Sequence, residues 1–216
     1  MLKIAVLTAN LGGFDNTVLP VDQSVPYDYH IFDDDNFPPI AGLTPRLQYR
    51  LPKLFGWEMY PGYDIYIWLD GSMSLQRKDS VEWMLRQLSD KDAAFFKHPD
   101  RSTVKEEVDY IEKKLQEGNR YITSRYKNGL HKENYKEMSK HKAWKDDTLL
   151  ASTSFIYRNN NAVQSVLRAW WFYQSRYFSC DQIPLPFVIK QYELNIKVIQ
   201  DNIFKNPYVS LVSHHK

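Results

Sequence analysis

Little in this chain of 216 residues points to a staple, a membrane or a polyanion. It has one cysteine, Cys180, so no internal disulfide can form, and a reducing compartment, the cytoplasm, is the expectation. No apolar run approaches the roughly 18 residues of a membrane span. The opening "MLKIAVLTANLGG" has too short an apolar stretch for a secretion signal and reads as a first strand. Net charge is small, +2 from 28 basic and 26 acidic residues, which argues against nucleic acid as a partner. Glycine is sparse, and the dinucleotide fingerprint Gly-x-Gly-x-x-Gly is missing. Aromatic residues are abundant, with 15 tyrosines and six tryptophans. Exposed rings would suit sugar or base stacking, but composition alone favours the plainer reading of a Tyr-rich core and surface.

Short apolar segments alternate with helical patterns. Strands are expected over Lys3–Thr8, Tyr27–Phe32, Tyr63–Asp70, Asp92–Pro99, Leu149–Asn159 and Asn195–Gln200. Thr44-Pro45 reads as an N-cap with proline at the first helical position, and Pro52 should kink or end that helix. Further helices are expected at Ser80–Leu88, at Val104–Leu115 with Gly118 as C-cap, and at Ala162–Tyr177. Residues 101–147 read as a helical excursion with one or two more helices. The pattern predicts one α/β domain over 1–216 with a mostly parallel central sheet flanked by helices. Residues 1–100 form its first half and 101–216 its second.

Ligands of such sheets sit outside the carboxyl ends of the strands. The first three strands end in Thr8-Ala9-Asn10, Asp33-Asp34-Asp35 and Asp70-Gly71-Ser72. A single strand-end aspartate is most often a turn or a cap. The combination carries more weight. "YDIYIWL" is uncharged between Asp64 and Asp70, which makes Asp70 the rigid end of a buried strand. Gly71 allows a sharp turn, and Ser72 returns to the Asp70 side. An oxygen pair at this spacing suits a hard cation, Mn²⁺ or Mg²⁺. Arg46, Arg50 and Lys53 are candidates to face a diphosphate, with a solvated helix face as the plain alternative.

The segments "KLFGWEMYPGYDIYIWLDGSMSL", "FFKHPDR", "STSFIYRNN" and "CDQIPLPFV" resemble the TOD1/MUCI70-type glycosyltransferase-like domains, which include plant enzymes of cell-wall glycan synthesis. Their order and spacing are also similar to the glycosyltransferase domain of a chlorovirus protein linked to capsid glycans. The resemblance implies a GT-A fold, a UDP-sugar donor such as UDP-glucose or UDP-rhamnose, a divalent cation and a glycan or glycoprotein acceptor. It leaves room for fusion to further domains. Asp70-Gly71-Ser72 stands in for the family's Asp-x-Asp motif, with Ser72 replacing the second aspartate. His214 or His215 is a candidate for a further metal ligand. The first two strand ends would hold the nucleoside, through Thr8, Ala9, Asn10, Asp33 and Asp34. Lys53, Arg101, Thr153 and Ser154 would line the phosphate and sugar sites, and His98 is a weaker candidate there. Asp181, in "CDQ", would act as the general base or grip the donor sugar; the plain alternative is a helix cap. Asp146 or Asp147 would be the fallback base. Two other functions fit the residues: a metal-dependent phosphohydrolase, and a nucleotide-sugar or glycan-binding module without catalysis.

Overall fold

The computed structural model describes residues 2–15, 19–142 and 144–211. Its elements run β1 (Ile4–Asn10), β2 (Asp28–Asp33), α1 (Pro45–Gln48), α2 (Arg50–Met59), β3 (Ile65–Asp70), β4 (Met73–Leu75), α3 (Ser80–Leu88) and β5 (Ala93–Lys97). There follow α4 (Val104–Gln116), α5 (Arg120–Tyr126), α6 (Leu130–Met138), β6 (Leu150–Arg158), α7 (Asn161–Tyr177), α8 (Leu185–Gln191), β7 (Ile196–Ile199) and β8 (Val209–Leu211). Among the described residues, six strands form one sheet in the order β2-β1-β3-β6-β5-β7. β6 runs antiparallel to β3 and β5, and the other pairs are parallel. The sheet is therefore the mixed, mostly parallel one that the alternating pattern predicts. All six expected strands lie in it.

Alternation along the strands builds two core layers. Ala5, Leu7 and Ala9 of β1 and Tyr66 and Trp68 of β3 face α2 and α7. Ile4, Val6, Ile65, Ile67 and Leu69 face the opposite side, with Val81, Trp83 and Met84 of α3. A strand buried on both faces has no polar side chain until it ends. That is why the first carboxylate of β3 is at its last residue.

Local signals act as expected at most ends. Thr44 Oγ1 accepts from the Leu47 amide at 3.2 Å, and Pro45 opens α1. Gly118 ends α4 with φ +70°, a conformation that favours glycine. Pro52 behaves differently from the expectation. It sits inside the first turn of α2, where its missing N–H costs little, and the break falls upstream at Tyr49. The α1–α2 corner matters for the site. α2 crosses β1 so closely that a Cβ on Gly56 would lie 2.2 Å from Leu7 Cδ1. That close approach brings α2 down onto the ends of β1 and β3.

The excursion between β5 and β6 is α4, α5 and α6. A capping box of Thr103 and Glu106 starts α4. A small antiparallel ribbon, unforeseen from the sequence, pairs β4 with β8 and places Leu211 opposite Met73. None of the helices among the described residues is long and apolar enough to cross a membrane.

Candidate active site

A cleft of about 1040 Å³ opens at the carboxyl ends of β1 and β3. One wall is Ala9, Gly12 and Asp15 with Asp70-Gly71-Ser72. The other comes from α4, α5 and the turn after α7, including Glu107, Tyr121, Cys180 and Asp181. Arg46, Tyr49 and Arg50 line it between them.

At its floor the structure joins two carboxylates through one ammonium. Lys53 Nζ lies 3.2 Å from Asp70 Oδ1 and 2.7 Å from Asp181 Oδ2. The lysine side chain is 0% exposed, and each carboxylate is 19% exposed. The sequence accounts for the meeting. Trp68 and Asp70 are two apart on β3 and share its α2 face. Tyr49 and Lys53 are four apart and share the face of α2 that meets it. Asp70 Oδ1 therefore receives the Tyr49 hydroxyl at 2.7 Å and Trp68 Nε1 at 2.7 Å besides Lys53. Asp70 Oδ2 has no hydrogen bond among the described residues. Asp181 Oδ2 also accepts from Ser152 Oγ at 2.9 Å. Its backbone is pinned by Trp170 Nε1, which donates to the Asp181 carbonyl at 2.8 Å. Asp181 does not cap a helix; Pro184 holds the N-cap position of α8.

The charges of this trio follow from the distances. Burial works against ionisation of Asp181, but Lys53, then Arg50, and the hydrogen bonds from Lys53 and Ser152 hold its carboxyl well below the usual range. Burial likewise opposes the charge on Lys53, and Asp181 and Asp70 reverse that, so the ammonium stays protonated. Burial pushes the Asp70 carboxyl up, against the pull of Lys53 and with a further push from Asp181. Asp181 is the nearer partner of Lys53, so it holds its charge more firmly than Asp70 does. Lys53, read from sequence as a group facing a diphosphate, is instead buried beneath the carboxylates.

Gly71 is required by contact. A Cβ there would lie 2.6 Å from the Ala9 carbonyl oxygen and 2.7 Å from Asp15 Oδ2. The corner thus packs edge to edge against the end of β1. Asn10 holds the loop that supplies Asp15: its Nδ2 donates to the Asp15 carbonyl at 2.6 Å, and its Oδ1 accepts from the Asp15 amide at 3.0 Å.

Of the candidates from sequence, Ala9, Arg46, Arg50, Asp70, Gly71, Ser72, Thr153 and Asp181 line the cleft, Arg46 donating to the Tyr126 hydroxyl and the buried Arg50 to the Ser179 carbonyl. Thr8 and Ser154 are buried and do not. Asp33 closes a local turn by accepting from the amides of Asp35 and Asn36. Asp34 accepts from the Gly12 amide at 2.9 Å and so shapes the loop after β1. Arg101 is paired with Glu107 and does not line the cleft. His98 accepts from the Asp100 and Arg101 amides through Nδ1, and burial followed by Arg101 pushes its pKa down to about 4. It is a neutral turn cap. Asp146 caps α4 at the Val104 and Lys105 amides, and Asp147 pairs with Lys190. Neither lines the cleft. His214 and His215 lie outside the described residues.

Sequence reasoning missed Tyr49, Trp68, Ser152 and Glu107. Ser152 had a readable signal in "STS", but a register shift hid it. β5 pairs Phe95 with Phe155 and Phe96 with Ala151, so β6 bulges between them. The bulge lets the adjacent Ser152 and Thr153 both line the cleft, which regular alternation forbids.

No curated protein matches the chain by sequence. Among solved structures, one titled as a glycosyltransferase involved in the glycosylation of the major capsid of PBCV-1 aligns over 91% of this chain and 81% of its own, at 9% identity and a TM-score of 0.48. The profile of one family matches residues 43–215, a span holding Lys53, Asp70, Ser152 and Asp181. That match covers most of the chain, and the chain belongs to the TOD1/MUCI70 glycosyltransferase-like domain family.

Proposed function

We propose that this domain is a divalent-metal-dependent glycosyltransferase of GT-A type. It would move a hexose or deoxyhexose from a UDP-sugar, UDP-glucose or UDP-rhamnose, to a glycan or glycoprotein acceptor. The observation that carries the reading is the trio Asp70–Lys53–Asp181 on the floor of a cleft at the strand ends.

The donor set fits a hard cation in part. Asp70 spends one oxygen on three donors and keeps Oδ2 free of hydrogen bonds among the described residues, and Ser72 lines the same cleft. No third His, Cys, Asp or Glu joins a metal cluster among the described residues, so water and the diphosphate would complete the shell. Bound there, Mn²⁺ or Mg²⁺ supplies positive charge to the departing diphosphate. Tyr49, Trp68 and Lys53 fix the Asp70 carboxylate in place. Asp181 spends Oδ2 on Lys53 and Ser152. Its Oδ1 meets only a long 4.0 Å contact from Cys180 Sγ among the described residues, which leaves it for a sugar hydroxyl. Two roles for it follow: gripping the donor sugar, or taking the acceptor's proton. Its depressed proton affinity suits the first better, because a general base works best with a pKa near the working pH.

Thermal shift with UDP, GDP and CMP, each with and without Mn²⁺, tests the reading. A ligand that binds the native state alone raises the unfolding midpoint by mass action. UDP with Mn²⁺ should give the largest rise, and Asp70→Ala should abolish that rise, on an unliganded midpoint that itself falls because Lys53, Tyr49 and Trp68 lose their shared acceptor. Equal shifts from all three nucleotides, or no effect of metal, would remove the UDP-sugar site.

A further inference from the structure

The far wall of the cleft carries features the donor site does not use. Tyr121 of α5 and Tyr110 of α4 line it, the residues 55% and 36% exposed. Each ring is set by an arginine on one face. The Arg125 guanidinium lies 3.7 Å from the Tyr121 ring centre, and that of Arg101 lies 4.1 Å from the Tyr110 ring centre. Arg101 is itself anchored by the buried Glu107, so the Tyr110 ring rests on a fixed support. The Lys114 ammonium also lies 5.9 Å from the Tyr110 ring centre, so Tyr121, the more exposed of the two, offers the larger open surface. Hydrogen-bonding groups flank the rings. Asn119 and Asn128 line the same wall, and each spends Oδ1 on a backbone amide, at 3.0 Å to Ile122 and 3.1 Å to Leu130. Neither Nδ2 has a partner among the described residues.

We propose that Tyr121 and Tyr110, with the amides of Asn119 and Asn128, form a platform for a pyranose unit of a glycan. A sugar ring presents a C–H face that packs on an aromatic ring and a hydroxyl edge that needs amide and hydroxyl partners. The wall offers both in one patch. Its position relative to the trio agrees. Tyr121 and Asp181 line the same cleft. A glycan on this platform therefore shares the cleft with the carboxylate proposed to face the donor sugar. In the glycosyltransferase reading, on which the word acceptor depends, this is the acceptor subsite.

The chain labelled with 3-fluorotyrosine gives a ¹⁹F signal for each tyrosine, and Tyr121→Phe and Tyr110→Phe assign the two that matter. Gluco-, xylo-, galacto- and rhamno-oligosaccharides are titrated to millimolar concentration, beside UDP with Mn²⁺. At least one oligosaccharide should shift both signals saturably, and Tyr121→Ala should weaken that binding about tenfold or more, as loss of one aromatic contact does. Tyr121→Phe keeps the ring and should bind as the parent does. The proposal falls if no oligosaccharide moves either signal. It falls equally if Tyr121→Ala binds like the parent, or if UDP alone moves the Tyr121 signal and glycans do not. The donor reading is judged separately: glycan binding without any UDP effect would sink that reading and leave the platform standing.

Discussion

Replacing Lys53 with methionine removes one charge and keeps most of the buried stem, so it isolates what the ammonium does. Asp70 Oδ1 and Asp181 Oδ2 are 3.2 and 2.7 Å from the same nitrogen, so the two carboxylate oxygens lie within about 6 Å of each other. Without Lys53, two like charges at that spacing repel by about 3 kcal/mol at an effective dielectric near 20. Breaking a buried ion pair from one side costs about 3–5 kcal/mol. The carboxylates keep some contact with water, and Arg50 remains near Asp181, so the lower end applies. A loss of about 3 kcal/mol is a large share of a stability of roughly 5–15 kcal/mol.

The pH dependence gives the sharper test. In the parent, the depressed Asp181 pKa contributes stability that is complete above the ordinary carboxylate pKa of about 3.9 and is lost only as pH falls through the lower folded value. Between pH 5 and 7.5 this group leaves the parent flat. In Lys53→Met the native state relieves the repulsion by keeping a proton, on Asp70 first, whose carboxyl burial already pushes up. The native state then binds more protons than the unfolded chain, so stability falls as pH rises over the same range. Urea unfolding at pH 5 and 7.5 measures both midpoints. A variant whose midpoints equal the parent's, or whose pH profile runs parallel to it, would refute the role given to Lys53.

Gly71→Ala should cost about 1–3 kcal/mol, as overpacking does, because the Ala9 carbonyl cannot move aside as the Asp15 side chain can; it should also weaken UDP–Mn²⁺ binding, and calorimetry showing parent-like affinity would mean the corner tolerates a wider spacing. The His98 ring should stay neutral at pH 6 and titrate near 4 by NMR, so its share of stability is present above the ordinary value of about 6.5 and lost as pH falls toward 4; a midpoint near 6.5 would place it outside the turn. Asp181→Asn should leave UDP binding unchanged and cut sugar transfer by about a hundredfold or more; weaker binding of the intact UDP-sugar in the same variant marks a grip on the sugar, unchanged binding marks a base, and normal transfer removes Asp181 from the site.

The sequence made the backbone side of this site legible and the charge side only partly so. β1 and β3 announce themselves as uninterrupted apolar runs, and Thr44-Pro45 and Gly118 mark helix ends by chemistry that acts within a few residues. Asp70 is readable because the strand before it is apolar on both faces, which fixes a lone carboxylate at the edge of the sheet where ligands bind. Lys53 is legible as a site residue but not in its role: the sequence sets it to face a diphosphate, and only the close packing of Gly56 on Leu7 puts it beneath the two carboxylates. Asp33, Asp34 and Asn10 look like ligand groups in sequence, yet each spends its side chain on nearby backbone amides or carbonyls. That diversion is a habit of Asp and Asn in turns and leaves no trace in spacing. The far wall is legible only in part: Tyr121 and Arg125 are four apart on one helix and meet by spacing, but only tertiary packing sets that helix at the edge of a cleft.

The position of Lys53 bears on how the two halves of the chain act together. Asp70 belongs to the first half, at the end of the strand that carries the metal candidates. Asp181 belongs to the second, on a turn pinned by Trp170. Lys53 bonds to both from a helix that is itself wedged onto β1, so the spacing between the carboxylates is set by rigid elements. A cation entering at Asp70 Oδ2 would compete with Lys53 for the charge of Asp70 and leave the ammonium more fully to Asp181. The trio anchors the cleft floor by joining a carboxylate from each half of the chain through one buried ammonium.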